Sequence, residues 1–596
     1  MIGPGKKARA LRCAAAAVTA FLLLFSAAYS ETAGSVCDSC GREKPTQLYR
    51  ITNAAGNTMY TNLCGDCRGS TEVIVFLQGG SMKPAESEEQ GGTADAGKPV
   101  SSGEDLFRYE GPGFDTPEEA ALYYLAGLKN QDFEQMLAAF AWETQADHFD
   151  YGSMVARAKG TDPAYTPGMP FTNELLRSAN VEELRYTQTN AISRSLECFV
   201  NDEIYSSPTG SLRMTEEADI EAYFQRCDNG RIQQFSAMEN IRIYTPDALT
   251  EGRFSMGKNP EYYIKLNAQY GADETRDIVI AADIADGTVL ISPTAARYGD
   301  RWYLVNVSSM TNNILNIESN RKGFAVIPKE DAVQLKSIAP VSRISALPES
   351  VGAKIRYEGG GFSAPQKAVA SYLEGLRDRN MQQMLRAFSW ETQNERYSLK
   401  DYIRRMQVIF RDSPVRIPAL NELAAASNLC SLRKQEGRKI YTAVRYYMLK
   451  DTDGDAGKML LDGYRVDLKT DEEIDAFIRL YDSGRDRKLA QMSEITFYDP
   501  AALFPDFYGR EQTVRIFEMN RRIYGADEIC EVLAAADLGG ETLICSPLLA
   551  RYGDRWYLVS SSGLAFSYLN IESSRQAFFT VDGSPDEVLK QYLQGR

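Results

Sequence analysis

Histidine is almost absent from this sequence: His148 is the single one among 596 residues. Most of the chain is also written twice, because residues 105–330 recur as residues 354–583, and Arg396 stands at the position equivalent to His148. The two copies therefore cannot share a histidine base, a Ser-His-Asp triad or a histidine-held zinc-bound water. We expect His148 to be a surface or capping residue.

Positive charge is in short supply as well. Lys and Arg total 66 against 81 Asp and Glu, which gives a formal net charge of −15 and a pI near 5.0. An acidic surface gains nothing from the phosphates of nucleic acid or anionic lipid. We therefore expect no nucleic acid partner and no membrane partner beyond a signal anchor. A protein, peptide or glycan ligand of unknown identity is the expected partner.

Long apolar runs are confined to the N-terminus. Residues 14–29 are mostly apolar, follow four basic residues and precede the small residue Ser30. This layout is typical of a secretory signal peptide, and the run is shorter than the roughly 20 residues that a spanning helix needs. We expect residues 1–30 to be a signal peptide and the protein to be secreted or on the cell surface. An uncleaved signal anchor is the alternative.

Cysteine is sparse, with ten in the chain, but four of them form two close pairs. Cys37 and Cys40 are separated by 23 residues from Cys64 and Cys67, in a C-x₂-C…C-x₂-C array. Two thiolate pairs on tight turns can supply the four tetrahedral ligands of a structural Zn²⁺ site. We expect a zinc-ribbon-like module over residues 31–80, because so short a segment has too little core to fold without the metal.

The residues between the two cysteine pairs favour a β-hairpin. Leu48–Thr52 and Met59–Thr61 have strand composition and flank the turn residues Asn53–Asn57. Two alternatives to zinc are open at the same cysteines: two disulfides, or a redox-active Cys-x-x-Cys. We expect the remaining cysteines of the mature chain, which are not matched between the copies, to be small core residues. They are Cys198, Cys227, Cys430, Cys530 and Cys545.

The duplication predicts the domain organisation. A repeat period above 200 residues is far longer than that of solenoids, so each copy is expected to be a domain with its own core. Copy 1 covers residues 105–330, and copy 2 covers residues 354–596 with a C-terminal helix. Polar, Gly- and Ser-containing segments predict a flexible linker at 81–104 and a second linker at 331–353.

Each copy begins with predicted helices and continues with predicted strands. Thr116 and Pro117 mark the first helix of copy 1, as Ser363 and Pro365 do in copy 2. Later helices are predicted near Thr215–Phe224 and Thr470–Ile478. The predicted strands of copy 1 are Tyr262–Leu266, Asp277–Asp283, Thr288–Ser292 and Arg301–Val305. Helices followed by consecutive strands predict an α+β fold in which helices pack on an antiparallel sheet.

The ends of each copy resemble the nuclear-transport-factor-two-like superfamily. The motifs are the Thr116-Pro117 helix, the Met136-Leu-x-x-Phe140 segment and the closing Trp302-Tyr-Leu-Val strand. More narrowly, they are similar to small extracytoplasmic members in bacterial secreted and lipoprotein chains. The resemblance implies a cone-shaped α+β domain in each copy and leaves the middle segments, about 150–240 and 398–490, unaccounted for. The superfamily contains isomerases and cyclases as well as non-catalytic binding domains.

In a cone-shaped fold, polar residues kept in both copies near a tryptophan are candidates for a pocket in which an aromatic face stacks on a ligand. The alternative is that the acids and amides cap helix ends while the tryptophans fill the core. The candidates are Trp142, Glu143, Gln145 and Asp283 in copy 1, and Trp390, Glu391, Gln393 and Asp537 in copy 2.

The sequence favours a non-catalytic binding or assembly protein that a bacterium secretes or tethers to its surface. The alternative is a small-molecule enzyme of the isomerase or cyclase type, with a carboxylate such as Asp283 or Glu143 as general base. A third hypothesis is a purely structural spacer. No catalytic residue is assigned.

Overall fold

The computed structural model describes residues 46–52, 58–64, 107–162, 165–249, 260–349, 355–450, 464–572 and 575–585. Strands β1 (Thr46–Thr52) and β2 (Thr58–Cys64) form an antiparallel hairpin, as predicted between the cysteine pairs. The predicted signal peptide, the linker at 81–104 and nearly all of the predicted C-terminal helix lie outside the described residues.

The helices of copy 1 and of the segment after it are α1 (Pro117–Asn130), α2 (Phe133–Leu137), α3 (Glu143–His148), α4 (Tyr151–Ala158), α5 (Glu174–Val200), α6 (Glu203–Ser206), α7 (Glu217–Cys227), α8 (Pro246–Leu249), α9 (Pro260–Tyr270), α10 (Met310–Ile314) and α11 (Ala332–Ser337). The strands are β3 (Ser211–Arg213), β4 (Glu239–Tyr244), β5 (Glu274–Asp277), β6 (Val279–Ile284), β7 (Gly287–Ile291), β8 (Thr294–Tyr298), β9 (Arg301–Asn306), β10 (Ala325–Pro328) and β11 (Ser342–Ile344).

Copy 2 contains helices α12 (Pro365–Arg377), α13 (Met381–Leu385), α14 (Trp390–Arg396), α15 (Leu399–Met406), α16 (Glu422–Leu449), α17 (Asp471–Leu480), α18 (Arg485–Leu489), α19 (Pro500–Leu503), α20 (Pro505–Tyr508), α21 (Glu511–Tyr524) and α22 (Leu564–Tyr568). Its strands are β12 (Val408–Phe410), β13 (Ser493–Tyr498), β14 (Glu528–Glu531), β15 (Leu533–Asp537), β16 (Glu541–Cys545), β17 (Leu548–Tyr552), β18 (Arg555–Ser560) and β19 (Phe579–Asp582).

The sheets are antiparallel, and the fold is α+β. In copy 1 the strand orders are β10-β7-β6-β4-β11 and β5-β8-β9, and in copy 2 they are β13-β15-β16-β19 and β14-β17-β18. The opening helices α1 and α12 pack on the closing strands β9 and β18. The segment predicted as a linker, 331–353, contains α11 and the edge strand β11, which pairs with β4.

Two sequence predictions of local structure were wrong. Tyr262–Leu266 is helical, within α9, rather than a strand. Its large apolar residues pack one face of the helix, where Tyr263 and Leu266 are buried. In copy 2 the N-cap is Ala364, with no side-chain hydrogen bond, and not Ser363. The Thr116 cap of copy 1 is confirmed, because its hydroxyl accepts from the Glu119 amide.

The middle segments hold the two copies together. Helices α5 and α16 pack side by side and antiparallel, since Ser193 contacts Ser427 while Asn180 contacts Tyr441. The same segments exchange smaller elements: β3 of copy 1 pairs with β12 of copy 2, α4 packs on α17, and α7 packs on α15. The parts of the sequence that the resemblance leaves unaccounted for therefore build much of the interface between the copies.

One continuous buried cluster contains residues of both copies. It joins the cores around Trp142 and Trp390 through the long helices, and smaller clusters lie at the outer faces of the sheets. Of the five cysteines predicted to be core residues, Cys198, Cys227, Cys430 and Cys545 are buried; Cys530 is partly exposed. All five are free thiols.

Candidate functional site

The two matched tryptophans are core residues. Trp142 and Trp390 are each 1% exposed. Their Nε1 atoms donate to the carbonyl oxygens of Leu137, at 3.0 Å, and Leu385, at 2.7 Å. Each indole also stacks on a phenylalanine two residues earlier. One face and the polar edge of each ring thus have partners inside the protein.

Glu143 and Glu391 hold the first segment of each copy against the helix that follows. Glu143 accepts from the amides of Tyr109, at 2.8 Å, and Glu110, at 3.2 Å. Glu110 reciprocates by accepting from the amides of Trp142 and Thr144. Burial raises the pKa of Glu143 despite these hydrogen bonds.

Copy 2 repeats this reciprocal arrangement. Glu391 accepts from the amides of Tyr357 and Glu358, at 2.7 and 2.9 Å, and Glu358 accepts from the amide of Thr392 at 2.9 Å. Burial again raises the pKa of Glu391. Sequence reasoning missed Glu110 and Glu358, although their recurrence in the Arg-Tyr-Glu-Gly motif of both copies was a usable signal.

The two aligned aspartates are engaged differently. Asp283 forms an ion pair with Arg242 at 2.7 Å and accepts from Thr288 at 2.8 Å. Burial acts to raise its pKa, but the hydrogen bonds from Arg242 and Thr288 and the positive charges of Arg242 and Lys336 together outweigh burial, and the pKa lies below its usual range. Asp537 instead accepts from the Gly539 amide at 2.8 Å in the turn after β15.

Gln145 and Gln393 are both buried, on the helices that begin at Glu143 and Trp390. The Gln393 Oε1 atom has no hydrogen-bond partner within the described part of the chain. None of the eight candidate pocket residues lines either of the two cavities described below.

The two tryptophans approach a cluster of arginines and tyrosines between the copies that sequence reasoning missed. The Arg185 guanidinium lies 4.2 Å from the Tyr109 ring centre and 5.6 Å from the Trp142 ring. Equivalently, Arg433 lies 3.8 Å from the Tyr357 ring and 5.8 Å from the Trp390 ring. Both arginines are buried, and each stacks on the rings of its own copy.

Each of these arginines is neutralised by an acid of copy 1. Arg433 is 3.2 Å from Glu182, which also accepts from the Tyr109 hydroxyl. Arg185 is 3.4 Å from Glu134, which accepts from the Tyr357 hydroxyl at 2.5 Å. Since a buried charge is tolerated when it is paired and hydrogen-bonded, this cluster is suited to joining the copies.

The predicted metal ligands lie at the margin of the described structure. Cys37, Cys40 and Cys67 are outside the described residues, and Cys64 ends β2 opposite Thr46. Within the described ranges no group of three or more His, Cys, Asp or Glu residues could hold a metal ion. The same ranges contain no helix that is both long and apolar enough to cross a membrane.

Two cavities open on copy 1. The first, about 230 Å³, lies between the end of α5 and β10. It is lined by Ser195, Cys198, Phe199, Asp202, Arg231, Arg321, Phe324, Val326 and Pro328. The second, about 350 Å³, is bounded by His148, Asp273 and Tyr298, and by the turn at Gly299. The exposed His148 contacts the Tyr298 ring, and its Nδ1–H donates to the Thr144 carbonyl oxygen at 2.8 Å.

Comparisons with known proteins give little beyond the fold. No family model matches the chain, and no curated protein matches it. Among solved structures, it is similar to a cystatin-like protein from Ruminococcus gnavus ATCC 29149, at 13% identity and a TM-score of 0.47. The match covers 80% of this chain and 94% of that one. A likeness at this level carries no argument about activity.

Proposed function

We propose that this protein is an extracytoplasmic bacterial binding or assembly protein without catalytic activity. In this proposal, two nuclear-transport-factor-two-like copies form one rigid body, and a structural zinc module precedes it on a flexible tether. The observation that carries the proposal is the engagement of the shared carboxylates: Glu143 and Glu391 each accept two backbone amides.

An isomerase-like enzyme needs a carboxylate within hydrogen-bond reach of a substrate proton. A general base of this kind also has a raised pKa, and the pKa values of Glu143 and Glu391 are raised. Their oxygens, however, point at the backbone of the preceding segment, and Asp283 is held by Arg242. These contacts favour a structural role for all three acids over general-base catalysis.

The hairpin register supports the zinc module. Thr46, the first residue of β1, pairs with Cys64, the last residue of β2. The start of β1, which follows Cys40 in sequence, and Cys64 therefore lie at the same end of the hairpin. A ribbon-type site needs its two cysteine pairs at one end of such a hairpin. The N-terminal basic and apolar segments support export.

The test is the intact native mass and metal content of the full-length protein purified from its export compartment. We expect a chain that lacks residues 1–30 and carries a single zinc ion, which chelator removes. Cys64→Ser should abolish zinc binding, whereas Cys530→Ser, the control at a partly exposed cysteine of copy 2, should retain it.

A metal-free protein lighter by about four protons, as two disulfides require, would refute the zinc module. Retention of residues 1–30 in a membrane-bound chain would instead identify the apolar segment as an anchor. An enzymatic activity that the wild type has and that folded Glu143→Gln lacks would refute the non-catalytic role.

A further inference from the structure

The cavity beside Cys198 occupies a place that copy 2 fills with its own side chain. The aligned copies put Tyr446 at the position of Cys198, on the same face of the long helix, and Arg575 at the position of Arg321. The Arg575 guanidinium lies 4.4 Å from the centre of the Tyr446 ring. In copy 1 a thiol takes the place of the phenol ring, and a cavity of about 230 Å³ lies there.

The arginine and the aromatic residues around the cavity recur in copy 2, whereas Lys450, Thr580 and Asp582 stand at the positions of Asp202, Val326 and Pro328. Arg231 lies 4.4 Å from the Phe199 ring in copy 1, and Arg485 lies 4.4 Å from the Tyr447 ring in copy 2. Phe324 is buried in copy 1, as Phe578 is in copy 2. The exchange of tyrosine for cysteine is the largest change in side-chain volume among the aligned positions that line the cavity.

The cavity has an apolar floor and a charged mouth. Cys198, Phe199 and Phe324 are buried, whereas Asp202 and Arg321 are partly exposed and form an ion pair at 2.9 Å. A thiol whose pKa is raised by burial stays neutral and behaves as a small apolar group. An engineered apolar cavity of about 150 Å³ is sufficient for benzene, so this one has room for a substituted ring.

We propose that the cavity beside Cys198 is a binding pocket for one phenol-type aromatic ring, which takes the place that the Tyr446 side chain holds in copy 2. Arg321 packs on the ring as Arg575 packs on Tyr446, and a guanidinium over an aromatic face is favourable. Asp202, at the mouth, is placed to accept a hydrogen bond from a ring hydroxyl. This inference rests on the proposed binding role and gives it a ligand class.

The ring has two sources, a free small phenol or a tyrosine side chain of a partner protein. Both are tested on the full-length protein by titration calorimetry, with p-cresol as the free phenol and the peptide Gly-Tyr-Gly as the tyrosine source. We expect saturable binding with one site per chain. Binding of the peptide at least tenfold tighter than that of p-cresol would identify a partner's tyrosine, and the reverse order would identify a small phenol.

Two reciprocal variants locate the site. Cys198→Tyr fills the cavity with the side chain of copy 2 and should abolish binding. Tyr446→Cys opens the equivalent volume in copy 2 and should raise the stoichiometry to two rings per chain. Unfolding curves establish that each variant is folded.

The inference is overturned if neither probe binds saturably, if folded Cys198→Tyr binds as the wild type does, or if folded Tyr446→Cys takes up no second ring. Failure here is distinguishable from failure of the proposed function, because zinc content and signal cleavage are read from the native mass without any added ring.

Discussion

Near the ends of β5 and β14, the two copies cap the equivalent short helices α10 and α22 with different residues. Copy 1 has Asp277 and Ser309, and copy 2 has Glu531 and Gly563 at the aligned positions. The Ser309 hydroxyl accepts from the Thr311 amide and so caps α10. In copy 2 the longer Glu531 accepts from the amides of residues 564 and 565 and caps α22 itself, while Gly563 leaves room for it.

We predict that Gly563→Ser destabilises the protein by about 1–3 kcal/mol, because a Cβ there would lie 2.1 Å from Glu531 Oε1. The combination of Gly563→Ser with Glu531→Asp, which recreates the pair of copy 1, should recover most of that loss. Urea denaturation of both single variants and the double variant measures the coupling. Additive effects would show that the two positions do not compensate each other.

A second prediction concerns the pH dependence of stability. Burial raises the pKa of Asp277 to about 6, whereas an aspartate in the unfolded chain titrates near pH 3.9. Between these values the folded state binds more protons than the unfolded state, so this group's contribution to stability is present below pH 4 and lost as the pH rises through 6.

Asp277→Asn should remove that pH dependence. We expect the free energy of unfolding of the wild type to fall relative to the variant by about 2–3 kcal/mol between pH 4 and pH 7. Denaturant titrations at several pH values give the difference directly. A difference that does not change with pH would show that Asp277 titrates normally.

Among the elements, the long helices α5 and α16 decide how the copies meet, and their contact depends on one glycine. A Cβ at Gly437, inside α16, would lie 2.3 Å from ring atoms of Tyr186 on α5. The absence of a side chain at this position lets the ring lie against the helix backbone.

Gly437→Ala is therefore expected to lower stability by about 1–3 kcal/mol, although alanine by itself favours a helix by about 1 kcal/mol. Gly152→Ala is the matched control: it lies in α4 at another contact between the copies, where the closest atom to a new Cβ is Asp150 Oδ1 at 3.2 Å. That variant should be unchanged or slightly stabilised in thermal denaturation. Equal effects of the two alanines would contradict the close contact with Tyr186.

The elements also show what the sequence could reveal. The opening helices, the closing strands and the helices near 217 and 471 were predicted, because their sequences carry a regular helical spacing of apolar residues or a run of strand-forming residues. Helices α5 and α16 were not predicted, since they are buried on several faces and include the polar residues Glu182, Asn180 and Arg433. A helix packed all round lacks the amphipathic pattern that marks a surface helix.

The candidate site was harder to predict than the fold. Recurrence in both copies drew attention to Glu143 and Glu391, but recurrence does not separate a ligand contact from a backbone contact. Arg185 and Arg433 recur as well, yet their partners Glu182 and Glu134 have no acidic counterparts in copy 2, where Cys430 and Gln382 stand. Pairings between the copies leave no such repeated pattern in the sequence.

On the scale of the whole molecule, two buried ion pairs join one copy to the other. Glu197 of copy 1 and Arg416 of copy 2 form an ion pair at 2.6 Å with both side chains 3% exposed. Arg433 and Glu182 form another such pair. Separating the copies would leave each of these charges without its partner, and such a separation is costly.

We predict that residues 107–585 unfold in a single cooperative transition. Calorimetric and van't Hoff enthalpies should agree in scanning calorimetry, as they do for one cooperative unit. Glu197→Gln, which leaves Arg416 without its acid, should lower the whole transition by about 3–5 kcal/mol in stability without splitting it. Two resolved transitions, one for each copy, would show that the copies fold independently.

The exchange of elements between the copies has a consequence for how such a chain diverges. The contact of α4 with α17 is equivalent to that of α15 with α7, so a self-associating homodimer of one copy could make the same contacts across a twofold axis. In a homodimer every substitution appears twice, and a pocket opened on one subunit opens on both. Fusion into one polypeptide removes that constraint, and each position can then diverge alone: copy 2 has Tyr446 where copy 1 has Cys198.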